Sequence, residues 1–299
     1  MALIKDVLYR FKLRLPIGLK DRLKRSIPDF LLSSLREKEV WVLSYPKCGR
    51  SWLKLMLCDM VYSEHPEKER IDDVSTNLLW KIDNRIPRIC FAHDGNPMYR
   101  TPEGLEKDKS PYAHTHVIFL VRDPRDVLVS WYYEFKYRGH QEAFNENWRV
   151  NSLSEMVHSE RGGIATIIAY YNSWIEASDV PRSFYLLKYE DLAEAPFPTL
   201  KGLLQQLGID AYISDASVQK AIERNAFEAV QERESQGAIR NSAVHGVKEF
   251  KGHGEEEPAL KARKGKIGSY LEELSEADID YVDRMLEEEL DPRFGYGKS

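Results

Sequence analysis

An α/β fold of three layers, α/β/α, with a central parallel sheet is what this 299-residue chain predicts. Four short apolar runs recur, at Val40 to Leu43, Ile89 to Ala92, Val117 to Val121 and Phe184 to Leu187. Strands that are apolar throughout are buried on both faces, and such strands separated by helices pair in parallel. Helical patterns separate them, and a glycine turn, Tyr45 to Trp52, joins the first run to the first helix. No internal repeat and no low-complexity tract divides the chain, so residues 39–299 read as one domain behind a basic N-terminal helical extension, residues 1–38.

That extension carries eight Lys and Arg against two Asp up to Pro28, which leaves the remainder at about −11 in a chain of net charge −5. An acidic body excludes a whole-surface nucleic-acid binder. Leu3, Ile4, Val7, Leu8, Phe11 and Leu15 share one helical face. A basic amphipathic face of this kind either packs on the protein body or makes a peripheral contact with an anionic membrane. No run of 18 apolar residues is present, so no spanning helix is expected. Three cysteines, Cys48, Cys58 and Cys90, form no CxxC pair, which argues against a disulfide framework or a zinc site and fits a reducing cytoplasm.

The remaining elements follow in order. A helix is expected over Leu53 to Tyr62, and another over Pro124 to Arg138 with Asp123 as N-cap and Pro124 at the first helical position. Ser152 and Glu155 form a capping-box start, and Ile164 to Ala177 is long and apolar. Further helices are expected at Thr199 to Leu207, Ser217 to Arg224 and Ala277 to Glu289. Between Ser235 and Ser269 periodicity fades into a stretch rich in glycine and in Lys and Arg. A basic loop of that length is expected to act as a lid over an anionic ligand.

In a parallel sheet, ligands bind at the carboxyl ends of the strands, and the chemistry-bearing residues cluster there. Tyr45-Pro46-Lys47-Cys48-Gly49-Arg50-Ser51-Trp52 is a strand end, a tight turn and a helix start. That order gathers backbone N–H groups and the positive end of a helix dipole at one point, an anion site to which Lys47 adds charge and Ser51 a hydroxyl. Cys48 in this turn is either a thiol activated by the helix start or a small residue in a crowded corner. After the third run comes Arg122-Asp123-Pro124-Arg125-Asp126, with Ser130 two helical turns on. Arg122 is placed to clamp a phosphate bidentately. Taken alone, this block would equally suit a surface salt-bridge cluster.

Three blocks together resemble a known family. YPKCGRSW resembles the 5′-phosphosulfate loop, YPKSGTTW, of the cytosolic, P-loop-like sulfotransferases. RDPRDVLVS resembles their 3′-phosphate block, with the same Arg-to-Ser spacing, and Arg263-Lys264-Gly265-Lys266-Ile267-Gly268 resembles their late RKGxxG element. The resemblance implies the P-loop NTPase-like sulfotransferase fold and transfer of a sulfuryl group from 3′-phosphoadenosine-5′-phosphosulfate (PAPS) to an acceptor hydroxyl, releasing adenosine 3′,5′-bisphosphate (PAP) without a metal. It further implies that Lys47 meets the bridging oxygen, that Cys48, Gly49, Arg50 and Ser51 cradle the 5′-phosphate, and that Trp52 stacks on adenine. Arg122, Ser130, Arg263, Lys264 and Gly265 would hold the 3′-phosphate, with Tyr189 of Tyr-Glu-Asp and Phe227 at the adenine.

An acceptor hydroxyl needs a base, and histidine suits neutral pH. His93 follows the second run where the family places its catalytic histidine, with Asp94 beside it as its orienting group or as the base itself. His114 and His116 precede their strand, at the wrong end of the sheet, and His245 and His253 fall in the lid. The chain departs from the family at Phe91, where a lysine is usual, at Arg50, where threonine is usual, and at Ser269-Tyr270, where Asp-Trp is usual. The family's KxxxTVxxxE dimer motif has no counterpart near Leu271 to Asp280, which leaves the oligomeric state open. Tyr99, Tyr132, Tyr133, Phe135 and Tyr137 would line an acceptor cleft or belong to the core; a small phenol, a glycan and a lipid head group all remain open as acceptor.

Two other readings compete. A P-loop nucleotide kinase or NTPase would need GxxxxGK followed by Ser or Thr, whereas this lysine precedes its glycine. A catalytically silent nucleotide-binding protein would share the fold without the chemistry.

Overall fold

The computed structural model describes residues 39–69, 79–137, 148–239 and 265–297. The N-terminal extension, and the part of the predicted lid that holds Arg263, Lys264, His245 and His253, lie outside them. The four predicted strands are present: β1 Glu39–Leu43, β2 Arg88–Ala92, β3 His116–Val121 and β4 Ser183–Lys188. They form a parallel sheet in the order β2-β1-β3-β4. Val40 pairs with Ile89 on one side and His116 on the other, and Val117 pairs with Phe184. The chain leaves β1 toward β2 and leaves β3 toward β4, so the connections diverge between β1 and β3. In an open parallel sheet that divergence opens a crevice at the carboxyl ends of the two strands.

Helix α1, Arg50–Glu64, follows β1 and buries Leu53, Met56, Leu57, Met60 and Val61. That spacing of three and four residues lines one helical face. After β3, α2 runs over Pro124–Tyr137, and Asp123 Oδ1 accepts from Arg125 N at 2.9 Å, the cap the sequence predicts. α3, Leu153–Val157, is capped by Ser152, whose hydroxyl accepts from Glu155 N. The returning Glu155 carboxylate accepts from Asn151 N, one residue earlier than a capping box requires. α4, Ile164–Glu176, buries Tyr170, Tyr171 and Trp174 against Phe119 of β3, with ring centroids 5.8 to 5.9 Å apart. Offset and edge-on aromatic contacts of this kind add to the burial itself.

Beyond β4, α5 Tyr189–Glu194, α6 Pro196–Gln206, α7 Asp215–Arg224 and α8 Phe227–Ser235 follow one another. α7 packs on α1, while α4 packs on both α2 and the last helix, α9 Glu276–Glu289. Helices thus cover the sheet in two groups, giving the three-layer α/β/α arrangement expected. Sequence periodicity misses α5 and α8, both short and rich in Glu, which hides an apolar stripe. Packed structure also extends into the predicted lid: Ile239 is buried with Leu55 and Val230.

Candidate active site

A cavity of about 570 Å³ lies at the β1–β3 crevice. Lys47, Gly49, Arg50, Ser51 and Trp52 reach it from the turn after β1, and Arg122 and Ser130 from the end of β3 and from α2. Tyr189, Phe227 and Gly265 arrive from β4 onward, and His93 from the end of β2. Eleven residues picked out by separated motifs therefore share one cavity wall, and Met98 and Glu134 line it as well.

The turn is built for close approach. Gly49 has φ +89° and caps α1, and a Cβ there would sit 2.6 Å from the Tyr189 ring. Glycine is needed for both reasons, since a side chain would be strained and would displace the ring. Lys47 takes φ +74°, rare for a residue with a side chain, and its Nζ bonds Glu134 Oε2 at 2.8 Å. Arg50, the first residue of α1, is drawn down to about 10 by burial and stays cationic at neutral pH. Among the described residues it makes no ion pair with a carboxylate. A guanidinium at a helix start without a counter-ion favours an anion there.

Cys48 behaves differently from its neighbours. Its Sγ faces the core, 3.3 Å from Tyr171 Oη, and burial pushes the thiol up to about 12. Only its backbone belongs to the turn, so of the two readings the crowded corner holds. At pH 8 such a thiol is roughly one part in ten thousand thiolate. Native Cys48 is therefore expected to resist iodoacetamide at pH 8 while the half-buried Cys90 is alkylated, as peptide mapping would read. Rapid native labelling of Cys48 would contradict that burial.

Arg122 is fixed from several sides. Its guanidinium lies 4.4 Å from the Tyr189 ring centroid, and Nη2 donates to Asp126 Oδ2 at 3.2 Å and to Lys266 O at 3.1 Å. Its buried Nε has no hydrogen-bond partner among the described residues. Asp126, fully buried, also accepts from Gly268 N, Ser269 Oγ and Tyr270 N at 2.9 to 3.1 Å. One carboxylate thus docks the end of the late glycine element onto Arg122. Sequence reasoning left Asp126 without a role, although its place four residues after Arg122 on a helix was the available signal. Gly265, at φ +59°, lies against the Phe227 ring so closely that a Cβ would overlap it, and its carbonyl accepts from Tyr189 Oη at 3.3 Å.

The aromatic wall has support that the motifs did not reveal. Trp52 Nε1 donates to Asn225 O at 2.7 Å, and Asn225 Nδ2 donates in turn to buried Asp59 at 2.7 Å. The indole is thereby held with its centroid 5.6 Å from that of Tyr189.

His93 Nδ1 lies 2.8 Å from Ser44 O, a carbonyl that can only accept. The neutral ring therefore carries its proton on Nδ1 and its lone pair on Nε2. Asp94 is occupied elsewhere: Lys109 Nζ donates to one oxygen at 2.6 Å and Tyr112 Oη to the other at 2.9 Å. The backbone carbonyl of Ser44, not Asp94, orients the imidazole. His116 starts β3 and bonds Ser183 Oγ at the opposite end of the sheet, as predicted. At Phe91 the family's lysine is replaced by a ring under Lys54, whose Nζ stands 4.6 Å from the centroid. None of the five aromatics considered for an acceptor cleft lines the cavity, and Tyr132 and Phe135 are core residues. Met98, Trp131 and Glu134 line it instead.

The family model for the sulfotransferase domain matches residues 37–292. The chain belongs to the sulfotransferase family. It is 23% identical to human sulfotransferase 2A1 over 290 residues, covering 92% of this chain and 91% of that protein. To cytosolic sulfotransferase 16 of Arabidopsis thaliana it is 25% identical over 279 residues, 85% of this chain and 76% of the relative. The fold is similar to that of mouse sulfotransferase SULT7A1, solved with PAP, at a TM-score of 0.52, 19% identity and 85% coverage of each chain. Membership makes this sulfotransferase a PAPS-dependent enzyme, as its three motifs imply, and nothing found supports the nucleotide-kinase alternative. No cluster of metal-ligating side chains occurs among the described residues, and none of their helices is long and apolar enough to cross a membrane.

Proposed function

We propose that the crevice cavity holds PAPS and that His93 serves as the base toward an acceptor hydroxyl. The observation that carries this is the meeting of Gly49, Arg122 and His93, from three different strand ends, on one cavity wall. The residues fit the group: among the described residues Arg50 has no carboxylate partner and Arg122 Nε no hydrogen-bond partner, and two glycines stand where a Cβ would collide with an aromatic ring. When bound, PAPS supplies a sulfuryl group activated by its phosphate leaving group. Backbone N–H groups of residues 48–51, with Lys47, Arg50 and Ser51, offset charge on the leaving phosphate. Arg122 and Ser130 grip the 3′-phosphate, with Arg263, Lys264 and Gly265 completing that grip. Trp52, Phe227 and Tyr189 hold the adenine. His93 accepts the hydroxyl proton at Nε2 while Ser44 O keeps the ring in register.

Calorimetric titration without metal tests the reading. PAP is expected to bind at least about a hundredfold more tightly than ATP, because Arg122 supplies charge-assisted bonds only to a 3′-phosphate. ATP binding as tight as PAP, or magnesium-dependent binding indifferent to the 3′-phosphate, would overturn the assigned roles. A cytoplasmic location belongs to the same proposal, supported by three cysteines without a disulfide. Fewer than three titratable thiols in denatured protein purified without reductant would count against it.

A further inference from the structure

Asp126 does not line the cavity, yet it holds two residues that do, Arg122 and Ser269. Its Oδ2 accepts from Arg122 Nη2 at 3.2 Å and from Gly268 N at 2.9 Å. Its Oδ1 accepts from Ser269 Oγ at 3.0 Å and from Tyr270 N at 3.1 Å. The side chain is wholly buried, and these four donors fill the acceptor positions of an ionised carboxylate in place of water. The segment it holds meets the nucleotide wall at two further points. Gly265 O accepts from Tyr189 Oη at 3.3 Å, and Lys266 O accepts from Arg122 Nη2 at 3.1 Å. Residues 265–270 therefore run from the adenine side of the wall to the arginine, and Asp126 fixes the end beside the arginine.

We propose that Asp126 is a positioning residue that makes the site selective for a 3′-phosphate: it aims the Arg122 guanidinium and docks residues 268–270 beside it, without touching the ligand. This rests on the reading that the cavity takes PAPS and that Arg122 meets its 3′-phosphate. By charge alone, a carboxylate behind an anion site opposes the anion. That repulsion is shared out here, because three donors besides Arg122 also face the carboxylate. Losing the docking frees the guanidinium and three further donors together, and lost orientation is the larger effect. Neutralisation cannot keep the set intact. An asparagine side chain has one acceptor oxygen and one NH2, and either way round the NH2 meets donors: Arg122 Nη2 with Gly268 N, or Ser269 Oγ with Tyr270 N. The serine hydroxyl can turn to accept, whereas backbone N–H groups and a guanidinium cannot. Buried donors left opposed in this way push the segment off its seat.

The test is a set of calorimetric titrations of PAP and 5′-AMP into wild type, Asp126→Asn and Ser269→Ala, with thermal melts alongside. Asp126→Asn is expected to bind PAP at least about tenfold more weakly while 5′-AMP changes less than about threefold. Ser269→Ala keeps the carboxylate and removes one of its bonds. The serine's single proton is already given to Asp126, so its loss reaches a phosphate through the docking and not by direct donation. Preference for PAP over 5′-AMP should fall by about threefold in this variant, which carries the test if Asp126→Asn does not fold. A carboxylate that served only the fold would lower the melting temperature and leave the preference at its wild-type value. That result, or equal losses for PAP and 5′-AMP, would overturn the positioning role while leaving the cofactor site standing. Wild type without preference for PAP over 5′-AMP would overturn the 3′-phosphate reading and the role of Asp126 with it.

Discussion

Arg122→Ala is expected to weaken PAP binding by about a hundredfold or more and 5′-AMP binding by less than about threefold. Charge-assisted bonds to a phosphate contribute roughly 1.5–3 kcal/mol each, and a pre-organised guanidinium makes two at once. Pre-organisation is visible here in the Tyr189 ring beneath the guanidinium and in the bonds of Nη2 to Asp126 and Lys266 O. Loss of Arg122 leaves Asp126 three donors, Gly268 N, Ser269 Oγ and Tyr270 N, so the buried carboxylate stays solvated by the protein. Arg122→Lys should recover only part of the affinity, because an ammonium keeps the charge without the planar fork. Calorimetry with both nucleotides reads the difference, and equal losses for PAP and 5′-AMP would remove Arg122 from the 3′-phosphate.

What the sequence revealed and what it hid have separate physical causes. Strand ends were legible because wholly apolar runs mark buried parallel strands, and the glycine turn and the Arg122 block follow two of them directly. Residues contributed by backbone geometry were therefore easy to find. Partners that act across the sheet were not. Asp126 organises Gly268 to Tyr270 across more than 140 positions, and Asn225 reaches Trp52 from 173 residues away. No local pattern encodes such pairings. Glu134 was hidden for a further reason: on a helix bearing Trp131, Tyr132, Tyr133 and Phe135, an acid reads as the solvent face, whereas here it points into the cavity. Burial and bonding at Cys48 and Asp94 were equally hidden. Cys48 turned inward because Tyr171 and the core accept its sulfur, and Asp94 was taken by Lys109 and Tyr112.

That engagement of Asp94 separates two candidate bases by experiment. His93→Asn is expected to lower kcat by about a thousandfold in a PAPS assay with any phenol or alcohol the wild type sulfates, within the range by which a positioned base accelerates proton transfer. Asparagine can still donate to Ser44 O, which holds Nδ1 at 2.8 Å in the wild type, yet offers no basic nitrogen in place of Nε2. PAP affinity should change less than about twofold, since the imidazole meets the acceptor and not the nucleotide. Asp94→Asn should act in the opposite pattern. It removes the charge that Lys109 Nζ and Tyr112 Oη hold at 2.6 and 2.9 Å, leaving a nearly buried ammonium without its counter-ion. Breaking such a pair by neutralising one partner destabilises by roughly 3–5 kcal/mol. The thermal midpoint should therefore fall in Asp94→Asn while turnover of the folded fraction stays within about tenfold of wild type. A limb of kcat rising with pH, expected wherever a base must be unprotonated, should vanish in His93→Asn and persist in Asp94→Asn. Loss of that limb in Asp94→Asn alone would transfer the base to the carboxylate.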